Sequence, residues 1–100
     1  MVKHIVLWRL VESMDGRSRH DNTMIIKNAL YGMLGHIPGL LKIEVGVSQI
    51  GDEQGSDISL IAEFDCWDSF LAYRTHPEHL PVKKLMQDYV IERRVINYEI

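Results

Sequence analysis

The stretch Val2–Val11, VKHIVLWRLV, is predicted to form the first strand of a sheet. It is rich in β-branched and aromatic residues and is too short for a stable helix. Because successive side chains of a strand point to opposite faces, one face carries His4, Val6, Trp8 and Leu10, and the other carries Lys3, Ile5, Leu7 and Arg9. Both faces are apolar in the middle. An antiparallel sheet commonly leaves one face in water, so this pattern predicts that a partner covers the second face.

The rest of the chain alternates helical and extended patterns that complete one sheet. The predicted segments are a turn at Asp15-Gly16, a helix capped by Ser18 or Asp21 and running to about Gly35, strands at Leu41–Ile50 and Ile58–Phe64, a helix capped by Asp65 and running from Cys66 to about Thr75, a helical stretch from Leu80 or Pro81, and a strand at Val90–Ile100. This is the order of the split βαβ, or ferredoxin-like, fold. We therefore expect an α+β protein with a four-stranded antiparallel sheet and helices on one face.

Length and composition restrict the class of protein further. A chain of 100 residues forms a single domain, residues 1–100. The net charge of -3 and the absence of a basic run argue against nucleic-acid binding. The N-terminal stretch is too short and too interrupted for a signal peptide or a membrane span. The single cysteine, Cys66, cannot form an internal disulfide and is expected to be a small packed side chain. We expect a cytoplasmic protein with no membrane contact.

The second face of the predicted sheet suggests self-association. If His4 and Leu60 point toward the helices, Ile5 and Leu7 are expected to lie with Ile91 and Val95 on the opposite face. On the second predicted strand, Leu41, Ile43, Val45 and Val47 are expected to share one face. A second copy packed sheet to sheet would bury the exposed apolar face about a two-fold axis. The sequence therefore predicts a homodimer that forms a dimeric α+β barrel.

The stretch Tyr73–Pro81, YRTHPEHLP, holds the densest group of reactive side chains. Pro77 disfavours helical geometry at His76, so the chain is expected to turn between two helices. Removal of a proton beside a carbonyl needs a base that works near neutral pH and a donor for the developing oxyanion. His79 and Tyr73 supply these groups if the turn folds back, and His4 can enter from the first strand. The alternative is structural: a packed Tyr73, histidines that cap the second helix, and a hydrogen-bonded interior His4.

The sequence supports neither a metal site nor an anion clamp. A zinc site built from His4, His76 and His79 has no supporting CxxC or HExxH spacing, so neither a metal nor a cofactor is expected. Arg93 and Arg94 are adjacent on a predicted strand and therefore point to opposite faces, which prevents them from forming one anion clamp.

Three motifs of the chain resemble the stress-responsive dimeric α/β-barrel (Dabb) family. They are Lys3-His4-Ile5-Val6-Leu7-Trp8, Ile37-Pro38-Gly39-Leu40, and Tyr73 followed by His76-Pro77-Glu78-His79. The resemblance covers essentially the whole chain. It implies a ferredoxin-like protomer and a homodimer, and it does not imply one activity.

The same family includes a plant polyketide cyclase that makes olivetolic acid by a cofactor-free aldol cyclisation. By motif, the resemblance places the catalytic tyrosine and histidine of such an enzyme on Tyr73 and His79, and its strand histidine on His4. The first helix departs from that pattern, because bulky aromatic residues of the cyclase are replaced here by Ile26, Lys27 and Leu30.

Two functions follow from these observations. The first is a homodimer that binds a small hydrophobic or carbonyl-containing molecule without catalysis. The second is a cofactor-independent enzyme, cyclase-like or monooxygenase-like, in which Tyr73 and His79 transfer protons. A pocket of about 300 Å³ or more that contains both side chains would favour the second function.

Overall fold

A computed structural model gives the fold of the chain and describes residues 1–14 and 16–100. Asp15, the first half of the predicted Asp15-Gly16 turn, lies outside the described residues. The elements are β1 (Val2–Leu10), β2 (Ser13–Met14), β3 (Arg17–Ser18), α1 (Arg19–Tyr31), β4 (Leu40–Val47), β5 (Ile58–Phe64), α2 (Trp67–Tyr73), α3 (Leu80–Gln87) and β6 (Val90–Glu99). The short β2–β3 pair was not predicted. None of the described helices is long and apolar enough to cross a membrane.

The main sheet has the strand order β4-β5-β1-β6, and every neighbouring pair is antiparallel. The predicted α+β, ferredoxin-like fold is confirmed. Alternate residues of the two central strands are buried, as the period of a strand requires. They are His4, Val6, Trp8 and Leu10 on β1, and Ile58, Leu60, Ala62 and Phe64 on β5. This inner sheet face forms one side of the core, and buried residues of the three helices form the other.

The first helix begins where the sequence predicts and ends earlier. Ser18 is the N-cap, and its hydroxyl accepts a hydrogen bond from the backbone N–H of Asp21 at 3.2 Å. The helix ends at Tyr31 and not near Gly35, because Gly32 forms the C-cap and Gly35 takes a φ of 89°. Glycine weakens a helix and tolerates that left-handed conformation.

Three expectations for neighbouring elements were wrong in detail. A register shift between Leu40 and Lys42 places Leu40 in the core, whereas Leu41 is 53% exposed. The strict alternation that the sequence suggested therefore begins only after the shift, at Ile43 and Val45. Cys66 forms the N-cap of α2 in place of Asp65, and its thiol is exposed, not packed.

The carboxylate of Asp65 still contributes to this corner. It accepts hydrogen bonds from Ser69 and Cys66, which lower the pKa of Asp65. Gly39 lies against the same corner with a φ of 80°, and a Cβ there would collide with the Ser69 side chain. The close approach lets the Gly39 carbonyl accept a 3.0 Å hydrogen bond from the Asp65 N–H, which ties the start of β4 to the end of β5.

The sheet face that points away from the core has an apolar centre, but its β6 residues differ from those predicted. Ile5 lies opposite Ile61 on one side and Ile96 on the other. Leu7 lies opposite Arg94, and Lys3 lies opposite Tyr98. We call the residues Ile5, Leu7, Ile61, Ile96 and Tyr98 the outer sheet face.

Val95 does not belong to this outer sheet face, so the prediction for Val95 was wrong. Val95 lies opposite the buried Val6, on the helix side of the sheet. Ile91 lies at a register shift, since Arg9 pairs with Glu92 while Leu10 pairs with Val90. A one-residue change of register moves every side chain of a strand to the other face, and nothing in the sequence of β6 specifies its register.

Candidate functional site

A cavity of about 630 Å³ lies between the inner sheet face and the helices. Its apolar wall includes Trp8, Phe70 and Met86, which come from β1, α2 and α3. His4, Tyr73 and His79 also line it. The structure therefore brings the three predicted site residues to one cavity, and the volume of this cavity lies within the range of roughly 300–1,000 Å³ of ligand pockets.

The turn at Pro77 places Tyr73 and His79 face to face. The backbone N–H of His76 donates to the Tyr73 carbonyl at 3.1 Å, and the N–H groups of His79 and Leu80 donate to the His76 carbonyl at 2.9 and 3.1 Å. These bonds fold the end of α2 back onto the start of α3. The rings of Tyr73 and His79 consequently stack with centroids 3.9 Å apart and planes 21° apart.

The His79 ring has a defined tautomer. Its Nδ1 lies 3.0 Å from the backbone carbonyl oxygen of Tyr73. A carbonyl oxygen only accepts, so Nδ1 carries the hydrogen and Nε2 keeps a lone pair. Burial, with a smaller contribution from the nearby positive charge of Lys83, lowers the pKa of His79 to about 4. The ring is therefore neutral at pH 7, with one nitrogen available as a base.

His4 is held in the same way from the opposite wall of the cavity. Its Nδ1 lies 2.6 Å from the side-chain oxygen of Asn97, so this nitrogen also donates. Burial lowers the pKa of His4, and the charges of Arg93 and Arg74 act in the same direction. The His4 ring lies 5.9 Å from the ring of Tyr73, centroid to centroid.

The Tyr73 phenol is a neutral hydrogen-bond donor. The side chain is only 4% exposed. Burial raises the pKa of Tyr73 to about 12, although the charge of Arg93 opposes this effect. Within the described part of the chain, no group accepts or donates a hydrogen bond at its hydroxyl. The hydroxyl can therefore serve a ligand atom in the cavity.

His76 is separated from this group. Its Nδ1 accepts a 3.0 Å hydrogen bond from the backbone N–H of Glu78, which stabilises the turn before α3. It lines a second, smaller cavity of about 240 Å³ beside Pro38 and Ser69. Among residues 1–14 and 16–100, no three His, Cys, Asp or Glu side chains are placed to hold a metal ion.

Sequence reasoning missed several polar residues of the main cavity. Asn97 lies opposite His4 in the register of β1 and β6, and Arg93 lies opposite Trp8. Arg74 and Lys83 also line the cavity. The two-residue spacing of Arg93, Val95 and Asn97 is visible in the sequence, but only the register shows that this set faces the helices. Arg93 and Arg94 do point to opposite faces, as predicted.

The fold and the cavity between sheet and helices define a ferredoxin-like α+β protein with a site formed largely by α2, α3, β1 and β6. Residues 2–100 match the stress responsive A/B barrel domain family, Dabb, and the chain belongs to that family. No curated protein matches the chain.

Solved structures show the same architecture. A dimeric protein of unknown function from Bacteroides fragilis is 29% identical, with 99% of this chain and 95% of that chain covered and a TM-score of 0.77. A dimeric ferredoxin-like protein of unknown function from Thermobifida fusca is 22% identical, with coverages of 99% and 90% and a TM-score of 0.83. A hydroxynitrile lyase from Passiflora edulis is 23% identical, with coverages of 99% and 92% and a TM-score of 0.77.

Proposed function

We propose that the main cavity binds a small carbonyl compound and that the chain transfers a proton on it with its own side chains. In this proposal, Nε2 of His79 removes a proton from the carbon beside the carbonyl. The observation that carries it is the His79 ring, which is neutral and anchored through Nδ1 to the Tyr73 carbonyl. That anchor leaves the basic nitrogen free at the wall of a cavity large enough for a ligand.

Tyr73 completes the proposed chemistry. Electrons that leave the carbon–hydrogen bond collect on the carbonyl oxygen, and a preplaced donor stabilises that oxyanion. The Tyr73 hydroxyl remains protonated because burial raises its pKa to about 12. The low pKa of His79 keeps the base unprotonated at neutral pH, but it also makes that base weak. Stabilisation of the oxyanion is therefore an essential part of the proposal.

The similar structures are compatible with an active site on this fold. One of them is the Passiflora edulis hydroxynitrile lyase, an enzyme. The second candidate function is ligand binding without catalysis. It is favoured by the apolar wall of the cavity, formed by residues such as Trp8, Phe70 and Met86.

Hydrogen exchange at a carbon acid distinguishes the two functions. Ethyl acetoacetate in deuterium oxide loses the proton signal of the carbon between its carbonyls, and NMR follows that loss. We expect the parent protein to accelerate exchange, and His79→Gln to reduce the acceleration by about 10²-fold or more, as for loss of a general base. Tyr73→Phe should reduce it as well. His36→Gln, which removes an exposed imidazole, is the matched control.

The exchange experiment has a clear negative outcome. If the parent, His79→Gln and His36→Gln exchange this proton at equal rates, the proton-transfer function is wrong. Ligand binding alone would then remain as the function. Changes in the NMR chemical shifts of Tyr73 and His79 on addition of the ester would show that binding.

We also propose that the chain forms a homodimer through the outer sheet face. Leu7 is 41% exposed and Ile96 is 57% exposed, so the face carries large apolar side chains in water. The similar structures from Bacteroides fragilis and Thermobifida fusca are dimeric proteins.

A cytoplasmic location is part of the proposal, since the exposed thiol of Cys66 suits a reducing compartment. Cell fractionation tests it.

A further inference from the structure

The charge around the main cavity is opposite to the charge of the chain. The chain has 14 acidic and 11 basic residues and a net charge of -3. The described residues that line the cavity nevertheless include Arg74, Lys83 and Arg93 and no aspartate or glutamate. A ligand that enters therefore meets three cations and no carboxylate.

The three cations come from three different elements. Arg74 is the C-cap of α2, Lys83 lies on α3, and Arg93 lies on β6 opposite Trp8. All three side chains are exposed, while much of the apolar lining is buried. The positive charge therefore lies at the solvent-exposed mouth of the cavity, and the buried apolar side chains form its base.

These cations also lack protein counter-ions in the described part of the chain. The salt bridges found there involve other basic residues. Arg94, the neighbour of Arg93, shows the contrast, because its guanidinium pairs with Glu92 at 2.8 Å. The guanidinium of Arg93 therefore keeps its planar set of donors for another partner.

The positive charges act on the groups at the base of the cavity. Arg93 lowers the pKa of both His4 and Tyr73, although burial has the larger effect on each. Arg74 lowers the pKa of His4, and Lys83 lowers that of His79. Such effects require proximity, so the mouth and the proposed proton-transfer groups belong to one electrostatic site. A bound anion would offset this positive potential.

We propose that the physiological ligand is a carbonyl compound that also carries a carboxylate, held at the mouth by Arg93 and Lys83 while its carbonyl end lies among the apolar residues near His79. The proposal rests on the function proposed above and adds the class of ligand. A carboxylate matches the guanidinium fork of Arg93 with two parallel hydrogen bonds. A neutral ketone or ester would leave the three cations without a partner.

Phenylpyruvate and its ethyl ester are matched probes, since both have an aromatic ring and a ketone and only the acid is charged. Calorimetric or NMR titration at low salt measures the affinity of the full-length protein for each. We expect the acid to bind at least about tenfold more tightly than the ester, the sum of two exposed charge contacts. Raising the salt to about 0.5 M should remove most of this preference.

Two double variants test which cations are responsible. Arg93→Gln with Lys83→Gln removes two charges from the cavity mouth, and should remove the preference for the acid. Arg94→Gln with Lys84→Gln removes the same two charges one residue further along the same elements, where they do not line the cavity. This control should retain the preference. Circular dichroism and sedimentation confirm that both variants keep the fold and assembly of the parent.

The outcomes separate the ligand class from the proposed reaction. Equal affinity of the parent for acid and ester, failure to bind the acid at low salt, or equal losses in the two double variants overturns the anionic ligand. Exchange of ethyl acetoacetate can still depend on His79 in that case, because that ester is neutral. If exchange does not depend on His79 but the parent still prefers the acid to the ester, the proposed reaction is overturned and the proposed anion site stands.

Discussion

Protonation of His79 is expected to destabilise the folded chain as the pH falls from about 6.5 to about 4. In the unfolded chain, the imidazole takes up a proton near its ordinary pKa of 6.5, whereas burial lowers the pKa to about 4 in the folded chain. Between these values the unfolded state binds more protons. The free energy of unfolding therefore decreases as the pH decreases, and the contribution of His79 is fully present above pH 6.5.

The size of this effect follows from the burial and contacts of the ring. A difference of this size between the folded and unfolded pKa corresponds to about 3 kcal/mol for a fully buried group. The His79 side chain is partly exposed, and solvent screens part of the interaction, so we expect about 1–2 kcal/mol. Protonation leaves the Nδ1 hydrogen bond to Tyr73 intact, and the loss comes from charging a half-buried ring near Lys83.

Urea unfolding at about pH 7 and about pH 4.5 measures the effect, with tryptophan fluorescence as the signal. The buried Trp8 reports unfolding. His79→Gln should lose about 1–2 kcal/mol of the pH dependence of the parent. His36→Gln, with an exposed imidazole, should keep it. His4, whose pKa is also lowered, is present in all three proteins and contributes to the pH dependence of each. An identical pH dependence in His79→Gln and the parent would refute the reasoning.

Two further predictions concern the fold and the assembly. Gly39→Ala should destabilise the chain by about 2–4 kcal/mol in thermal unfolding, because the left-handed φ of 80° is strained for alanine and the new Cβ meets Ser69. Gly35→Ala has a similar φ of 89° and open space around it, so it should show only the strain of about 1–2 kcal/mol; equal losses would contradict the clash. Ile96→Asp should convert the proposed dimer to a monomer in sedimentation, whereas Ile50→Asp, in an exposed loop, should not. A dimer that survives Ile96→Asp would show that the outer sheet face is not the interface.

The architecture was predictable because its signals are local. Alternation in Val2–Leu10 and Ile58–Phe64 identifies the two central strands and their buried faces. Ser18 identifies the start of α1, since a hydroxyl before a helix accepts an N–H of its first turn. Pro77 identifies the turn between α2 and α3, because proline restricts the residue before it. Each signal depends on a few neighbouring residues and needs no knowledge of the remaining chain.

The candidate site was predictable only in part. Tyr73 and His79 are six residues apart, and the turn between α2 and α3 brings them together independently of the register of the sheet. Asn97 and Arg93 reach the cavity only through the register of β6 against β1, which also places Ile96 and not Val95 on the outer sheet face. The sequence of β6 is compatible with either register, since both of its faces contain polar and apolar residues.

The amino-acid sequence by itself determined the order of the elements, the family motifs and the presence of a tyrosine and two histidines in suitable segments. Only the tertiary structure decided that His4, Tyr73 and His79 line one cavity, that the Nε2 lone pair of a neutral His79 remains available there, and that three cations surround the mouth of that cavity. The physical reason is the separation along the chain over which each property is determined. Helix caps, proline turns and strand alternation are short-range properties of the chain, whereas burial, strand register and electrostatic potential depend on segments that lie far apart in sequence and meet only in the folded protein.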